Sequence, residues 1–192
     1  MPLLGTGLRA APYPALLWNG ARLHREGAPE GDGLVLVGLA SSADEATGSD
    51  VERAVSTGLA VAAGLPDMIG SGPLTGRPTV GVVAAAACAA VAAGAGTSEL
   101  GPVLDVAASL MVVQPPVGGS PRQAGLRAGH CLAAGWLAPQ VLGAGLIGMA
   151  GALAHTVATV TGRPAGDLRI DLPAGAQAGT GARAGDLLAG LA

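Results

Sequence analysis

The chain has 192 residues, half of them apolar, and a formal net charge of −3. That length suits one domain with a sizeable core. The charge leaves no basic footprint for nucleic acid. Aromatics make up only 2%, with no Phe, so the core has to be built from Ala, Val and Leu. All ten basic residues are Arg, which points to a GC-rich coding sequence more than to selection for Arg chemistry. Cys88 and Cys131 lie in apolar runs without metal-ligand spacing. They read as reduced, buried core residues of a cytoplasmic protein, and neither a disulfide, a metal nor a cofactor is expected.

The first 12 residues read as irregular, without the basic region and apolar core of a signal peptide. Tyr13–Glu26 suits a helix, with Leu16, Leu17, Ala21 and His24 at helical spacing. Gly27–Gly33 (GAPEGDG) reads as an acidic loop. Leu34–Ala40 (LVLVGLA) looks by residue type like a short buried strand, although its periodicity also allows a helix. Ser49-Asp50-Val51-Glu52 is a capping box that opens a helix, which Gly64 and Pro66 close.

Leu74–Glu99 organises the chain. Thr75-Gly76-Arg77-Pro78-Thr79 forms a polar mouth, and no charge follows until Glu99. A helix apolar on all sides is buried on all sides. Its N-terminus presents unpaired N–H groups and a positive dipole end, where an anion can sit beside Arg77.

Thr97-Ser98-Glu99 starts a further helix with Leu100, Leu104, Ala107, Ala108 and Met111 inward, and Pro102 is tolerated in its first turn. Gln114–Pro121 breaks the chain. Arg122–Leu142, with a kink at Pro139, and Ala144–Val160 read as two more apolar helices. Asp167–Leu172 alternates like a strand. The predicted architecture is mainly all-α: an Ala/Gly-rich helical bundle over residues 1–162, then a tail over 163–192 that can contact a partner. Pro78–Ser98 is long enough to span a bilayer. A membrane reading is nonetheless disfavoured, because the run relies on Ala and Gly and lacks aromatic belts and charge asymmetry.

Three segments, in order, resemble the helical domain of the MmgE/PrpD family, which includes 2-methylcitrate dehydratase and cis-aconitate decarboxylase. Asn19-Gly20-Ala21 with His24 resembles the family's N-G-A-x-x-H segment. Arg77-Pro78-Thr79 resembles its H-P-T segment before an Ala-rich helix. Leu126-Arg127-Ala128-Gly129 with Ala133-Ala134 resembles its L-H-A-G-x-A-A motif. The likeness covers about Leu17 to Gly145, with no counterpart of the family's α/β lid domain. The acidic D-F-D-D motif is replaced by Gly27-Ala28-Pro29-Glu30, and both motif histidines become arginines, Arg77 and Arg127. The resemblance implies a helical core with a rebuilt site, and it does not carry dehydratase activity over.

Asp32 and Glu30 lie near a family catalytic position. A positioned carboxylate can abstract a proton, and Asp32 is the preferred base; the alternative is a solvated acidic turn. Arg77 and Arg127 present planar forks suited to carboxylate, phosphate or sulfate, or else pair with Asp105 or Asp67. His24 and His130 are acid/base candidates or satisfied core histidines. Thr75 and Thr79 can donate hydrogen bonds to a bound anion or cap the helix.

Together these readings describe a metal-free lyase or cyclising enzyme. A carboxylate removes a proton while arginines hold an anionic leaving group on a small anionic substrate, with small-ring formation in natural-product biosynthesis as one outlet. The competing reading is a degenerate structural subunit. Either way, Ala-rich faces left without a lid imply a homodimer or a hetero-oligomer with a second MmgE/PrpD-like fragment.

Overall fold

The computed structural model describes residues 1–42, 48–65, 77–78, 81–114 and 120–161. Seven α-helices are present among them: α1 (Pro12–Arg25), α2 (Glu30–Ser41), α3 (Gly48–Gly64), α4 (Gly81–Ala92), α5 (Leu100–Ser109), α6 (Pro121–Gly143) and α7 (Ala152–Thr161). The protein is mainly helical, as its composition and periodicity predict. Asp167–Leu172 and the rest of the tail lie outside the described residues.

The core is organised around α4. Every residue from Val82 to Ala92 is buried. The helix is uniformly apolar because α2, α3, α5 and α6 all pack on it. Its Ala and Gly content lets those neighbours come close. A Cβ on Gly135 of α6 would stand 2.6 Å from the Val82 carbonyl oxygen, and one on Gly58 of α3 would stand 3.0 Å from that of Ala84. Leu16, Leu36 and Leu65 fill the wider gaps and are fully buried. Each such side chain contributes roughly 1.5–3 kcal/mol. The helix ends where Gly94 takes a φ of +94°. The Gly94 N–H donates to Val91 and the Ala95 N–H to Ala90, so the final carbonyls are satisfied. At 12 residues, α4 is shorter than the apolar run expected from the sequence. Among the described residues no helix is long and apolar enough to cross a membrane.

Three local expectations are corrected. Leu34–Ala40 is helical, within α2, and so are Glu30 and Asp32, which form its first turn instead of a loop. A buried strand needs a partner for its backbone groups, and a helix satisfies them internally. The all-round apolar pattern of α2 arises because it packs against α1, α3, α4 and α6. Second, Arg77 does not begin the central helix. Arg77–Pro78 forms a two-residue antiparallel pair with Val113–Gln114, in the register Arg77 to Gln114. A residue before proline is driven out of the helical region, and so α4 starts only at Gly81.

Third, Ala144–Val160 is not one helix. Gly145 and Gly151 have φ of +85° and +75°, and α7 begins at Ala152. Its N-terminus is capped from another helix. The Asp105 carboxylate of α5 accepts from the Gly151 N–H at 2.8 Å and the Leu153 N–H at 3.1 Å.

The other elements follow the reading closely. α1 matches the predicted helix within a residue at each end, and α3 starts one residue before the Ser49 box and ends at Gly64. α5 buries Leu100, Val103, Val106, Ala107 and Ala108, and the half-buried Leu104 and Met111 also pack against the core. α6 opens on a capping box in which Ser120 and Gln123 bond reciprocally, and it runs on through Pro139. The first ten residues are pinned to α1 by buried Asn19, which accepts from the Leu4 N–H at 2.9 Å and donates to the Pro2 carbonyl at 3.0 Å.

Candidate functional site

The start of α4 meets the middle of α6. A Cβ on Gly81 would stand 3.2 Å from both Cβ and Sγ of Cys131, so thiol and helix start are in contact. One turn earlier on α6, Arg127 is half-buried and makes no hydrogen bond or ion pair among the described residues. Asp105, its expected partner, is committed to the start of α7. Between Arg127 and Cys131, the His130 ring Nε2 lies 3.4 Å from the Leu110 carbonyl at the end of α5. The pairing of Arg77–Pro78 with Val113–Gln114 ties the chain entering α4 to the chain leaving α5. Arg77, Gly81, Arg127, His130 and Cys131 therefore converge, by backbone position, on one end of the central helix.

The electrostatics of this end favour an anion. The helix start contributes partial positive charge, and Arg127, one turn before Cys131, adds a full charge. Cys131 registers the same field. Burial pushes its thiol up to about 11, while the Arg127 charge and backbone hydrogen bonds from Val82 and Cys131 itself pull the other way. At neutral pH the thiol is protonated and is not the anion that this end accommodates. Cys88, deep in the core, donates to the Leu34 carbonyl at 3.3 Å, and burial raises its thiol to about 12. Both cysteines are free.

Asp32 sits in the first turn of α2, half-buried, and its carboxylate makes no hydrogen bond or ion pair among the described residues. A carboxylate there is also stabilised by the dipole of its own helix. The next residue, Gly33, packs on Leu132, since a Cβ there would stand 3.0 Å from a Leu132 methyl carbon. The Asp32 turn thus lies against the turn of α6 that follows Arg127 and His130. Glu30 opens the same helix, and its side chain is outside the described residues, as is that of Arg77. Thr75 and Thr79 are wholly outside them.

His24 belongs elsewhere. Gly129 of α6 faces the Leu17 carbonyl of α1 and Gly125 faces that of Ala21, so the two helices run antiparallel. Continuing that register carries His24 toward the first turn of α6, more than a turn short of Arg127. It is exposed there. The same register explains much of the motif that suggested the family. Asn19 pins the N-terminal segment, and Gly20 meets Gly129 at the helix crossing, where a Cβ would stand 2.8 Å from the Gly129 Cα.

A second feature was not among the sequence expectations. Trp18, Ala21, Arg22, Arg25, Arg122 and Gly125 line a groove between α1 and α6 of about 220 Å³. Its signal was present in the sequence: Trp18, Arg22 and Arg25 recur at helical spacing on one face. Arg122 reaches that face only through the antiparallel packing of α6. Cys131 was read as an inert core residue, and only the fold puts it at a helix start.

Among the described residues no group of three His, Cys, Asp or Glu side chains is placed to hold a metal ion. No protein-family model matches the chain, and no curated protein or solved structure matches it either.

Proposed function

We propose that the protein acts on a small anionic substrate at the start of α4. Arg127 holds a carboxylate, sulfate or phosphate group, and Asp32 serves as base for an elimination or an intramolecular displacement. The observation that carries this reading is Arg127: a half-buried arginine one turn before the cysteine that meets the start of α4, with no carboxylate partner among the described residues. A buried or half-buried cation is costly unless a counter-charge meets it, and a bound anion supplies one. His130 is available to position that anion or pass on a proton, and Arg77 and Thr79 flank the entry to α4 in the chain. The likeness of the motif segments to the MmgE/PrpD helical domain supports elimination chemistry as the class to test.

Citrate or sulfate should raise the melting temperature of the wild type and leave Arg127→Ala unmoved. A screen of small carboxylates and of sulfate and phosphate esters should then yield a turnover that Asp32→Asn and Arg127→Ala each remove, with circular dichroism unchanged. Full activity in both variants, or no response of the wild type to either anion, overturns the site.

A specific observation also favours assembly with another chain. Leu146, Ile147 and Met149, in the segment between α6 and α7, are 65%, 82% and 65% exposed. Adjacent exposed apolar side chains of this size mark contact surfaces. A homodimer or hetero-oligomer should appear in the solution mass, and a monomer at all concentrations would remove this part of the reading.

A further inference from the structure

We propose that the groove between α1 and α6 is a second ligand site, built for a small planar ring that carries a phosphate or sulfate group. Its wall is Trp18, 48% exposed, with its edge held by an indole N–H bond to the Leu4 carbonyl at 3.4 Å. Its floor is Ala21 and Gly125, where a Cβ on Gly125 would stand 3.0 Å from the Ala21 carbonyl oxygen. Small residues beneath an indole leave room for a ring against the aromatic face.

Three arginines line this slot, in two different states. Arg22 is committed, donating to Glu26 at 2.7 Å and to the Leu4 carbonyl at 2.8 Å. Arg25 and Arg122 make no hydrogen bond or ion pair among the described residues. Glu26 offsets Arg22, which leaves two positive charges without a counter-charge among the described residues, the number that a dianionic phosphate balances. Arginine forks match phosphate and sulfate oxygens in pairs. The volume, about 220 Å³, lies below the range of roughly 300–1,000 Å³ for drug-sized sites. It selects an aryl ester of phenyl phosphate size over a dinucleotide. A tryptophan wall beside two arginines also separates this site from the start of α4, which has no Trp or Tyr among its converging residues.

The probe is phenyl phosphate, followed by the indole N–H resonances of Trp18 and Trp136. Trp136 is the internal reference, since its indole donates to the Ala40 carbonyl at 3.2 Å. The Trp18 signal should shift to saturation by about 10 mM while that of Trp136 stays still. The double variant Arg25→Ala/Arg122→Ala should bind about tenfold more weakly or worse, as expected for lost charge-assisted hydrogen bonds. Arg127→Ala should bind as the wild type does, so failure at the start of α4 and failure in the groove are told apart. An unsaturated Trp18 shift, equal affinity in the double variant, or inorganic phosphate acting at the same concentration as phenyl phosphate would each overturn the proposal.

Discussion

α6 makes two seams from the same material, and they do different things. Against α1 it places Gly125 and Gly129, and against α4 it places Cys131 and Gly135. In both seams the missing or small side chains let backbones touch. The surroundings differ. α4 is enclosed by α2, α3, α5 and α6, whereas α1 packs on α6 and α2 and leaves a rim of Trp18, Arg22 and Arg25 in solvent. Close packing by glycine is therefore a general device of this fold, and enclosure decides whether a seam becomes core or groove.

The comparison can be broken most directly at the two glycines. In Gly135→Ala the new methyl meets the Ala85 side chain, the Val82 carbonyl and the Ala86 nitrogen, and α4 has nowhere to retreat. We expect a loss of about 3 kcal/mol in chemical denaturation, spread over the whole chain. In Gly129→Ala the methyl meets the Leu17 carbonyl, but α1 can move outward. A smaller loss of about 2 kcal/mol should follow, with amide exchange accelerated in α1 and little changed in α4. Equal effects at both positions would show that enclosure is not the deciding difference.

The outer layer gives a third comparison. Asp105→Ala removes the acceptor for two N–H groups at the start of α7. A loss of about 1.5 kcal/mol is expected, with amide exchange rising in α7 before any other helix. Uniform exchange across the helices would place α7 inside the cooperative core instead.

Enclosure of α4 should also carry a pH signature. Burial raises the Cys88 thiol from 9.0 to about 12 in the folded state. The unfolded thiol ionises first, so the native state holds more protons above pH 9. The stabilising contribution is complete below pH 9 and is lost as pH rises toward 12. Between pH 8 and 10 the wild type should lose on the order of 1 kcal/mol more than Cys88→Ala in urea unfolding. Parallel pH profiles for the two proteins would contradict full enclosure of this face.

Much of this arrangement was legible in the amino-acid sequence. α1, α3, α5 and α6 are announced by apolar spacing, by the Ser49 box, and by Gly64 and the Gln114–Pro121 break, because these signals act within a few residues. The readings that failed were those in which local signals are degenerate. LVLVGLA suits a strand or a helix until its neighbours are known. The run from Ala144 keeps an apolar periodicity across its glycines, and only the fold shows that Gly145 and Gly151 take positive φ and that Asp105, 46 residues before Gly151, caps the helix that follows.

The site divides in the same way. Arg127 stood out as a charge within an apolar helix, and Asp32 as a carboxylate before one. That Cys131, one turn after Arg127, meets the start of α4, that His24 does not join them, and that Arg122 completes a groove with Trp18 were decided by helix register. Sequence by itself determined that the chain is an Ala/Gly-rich helical protein with an apolar central helix, because periodicity and side-chain size are local properties. Only the tertiary structure decided which glycines touch and which arginines find no partner among the described residues, because those depend on contacts between helices far apart in the chain.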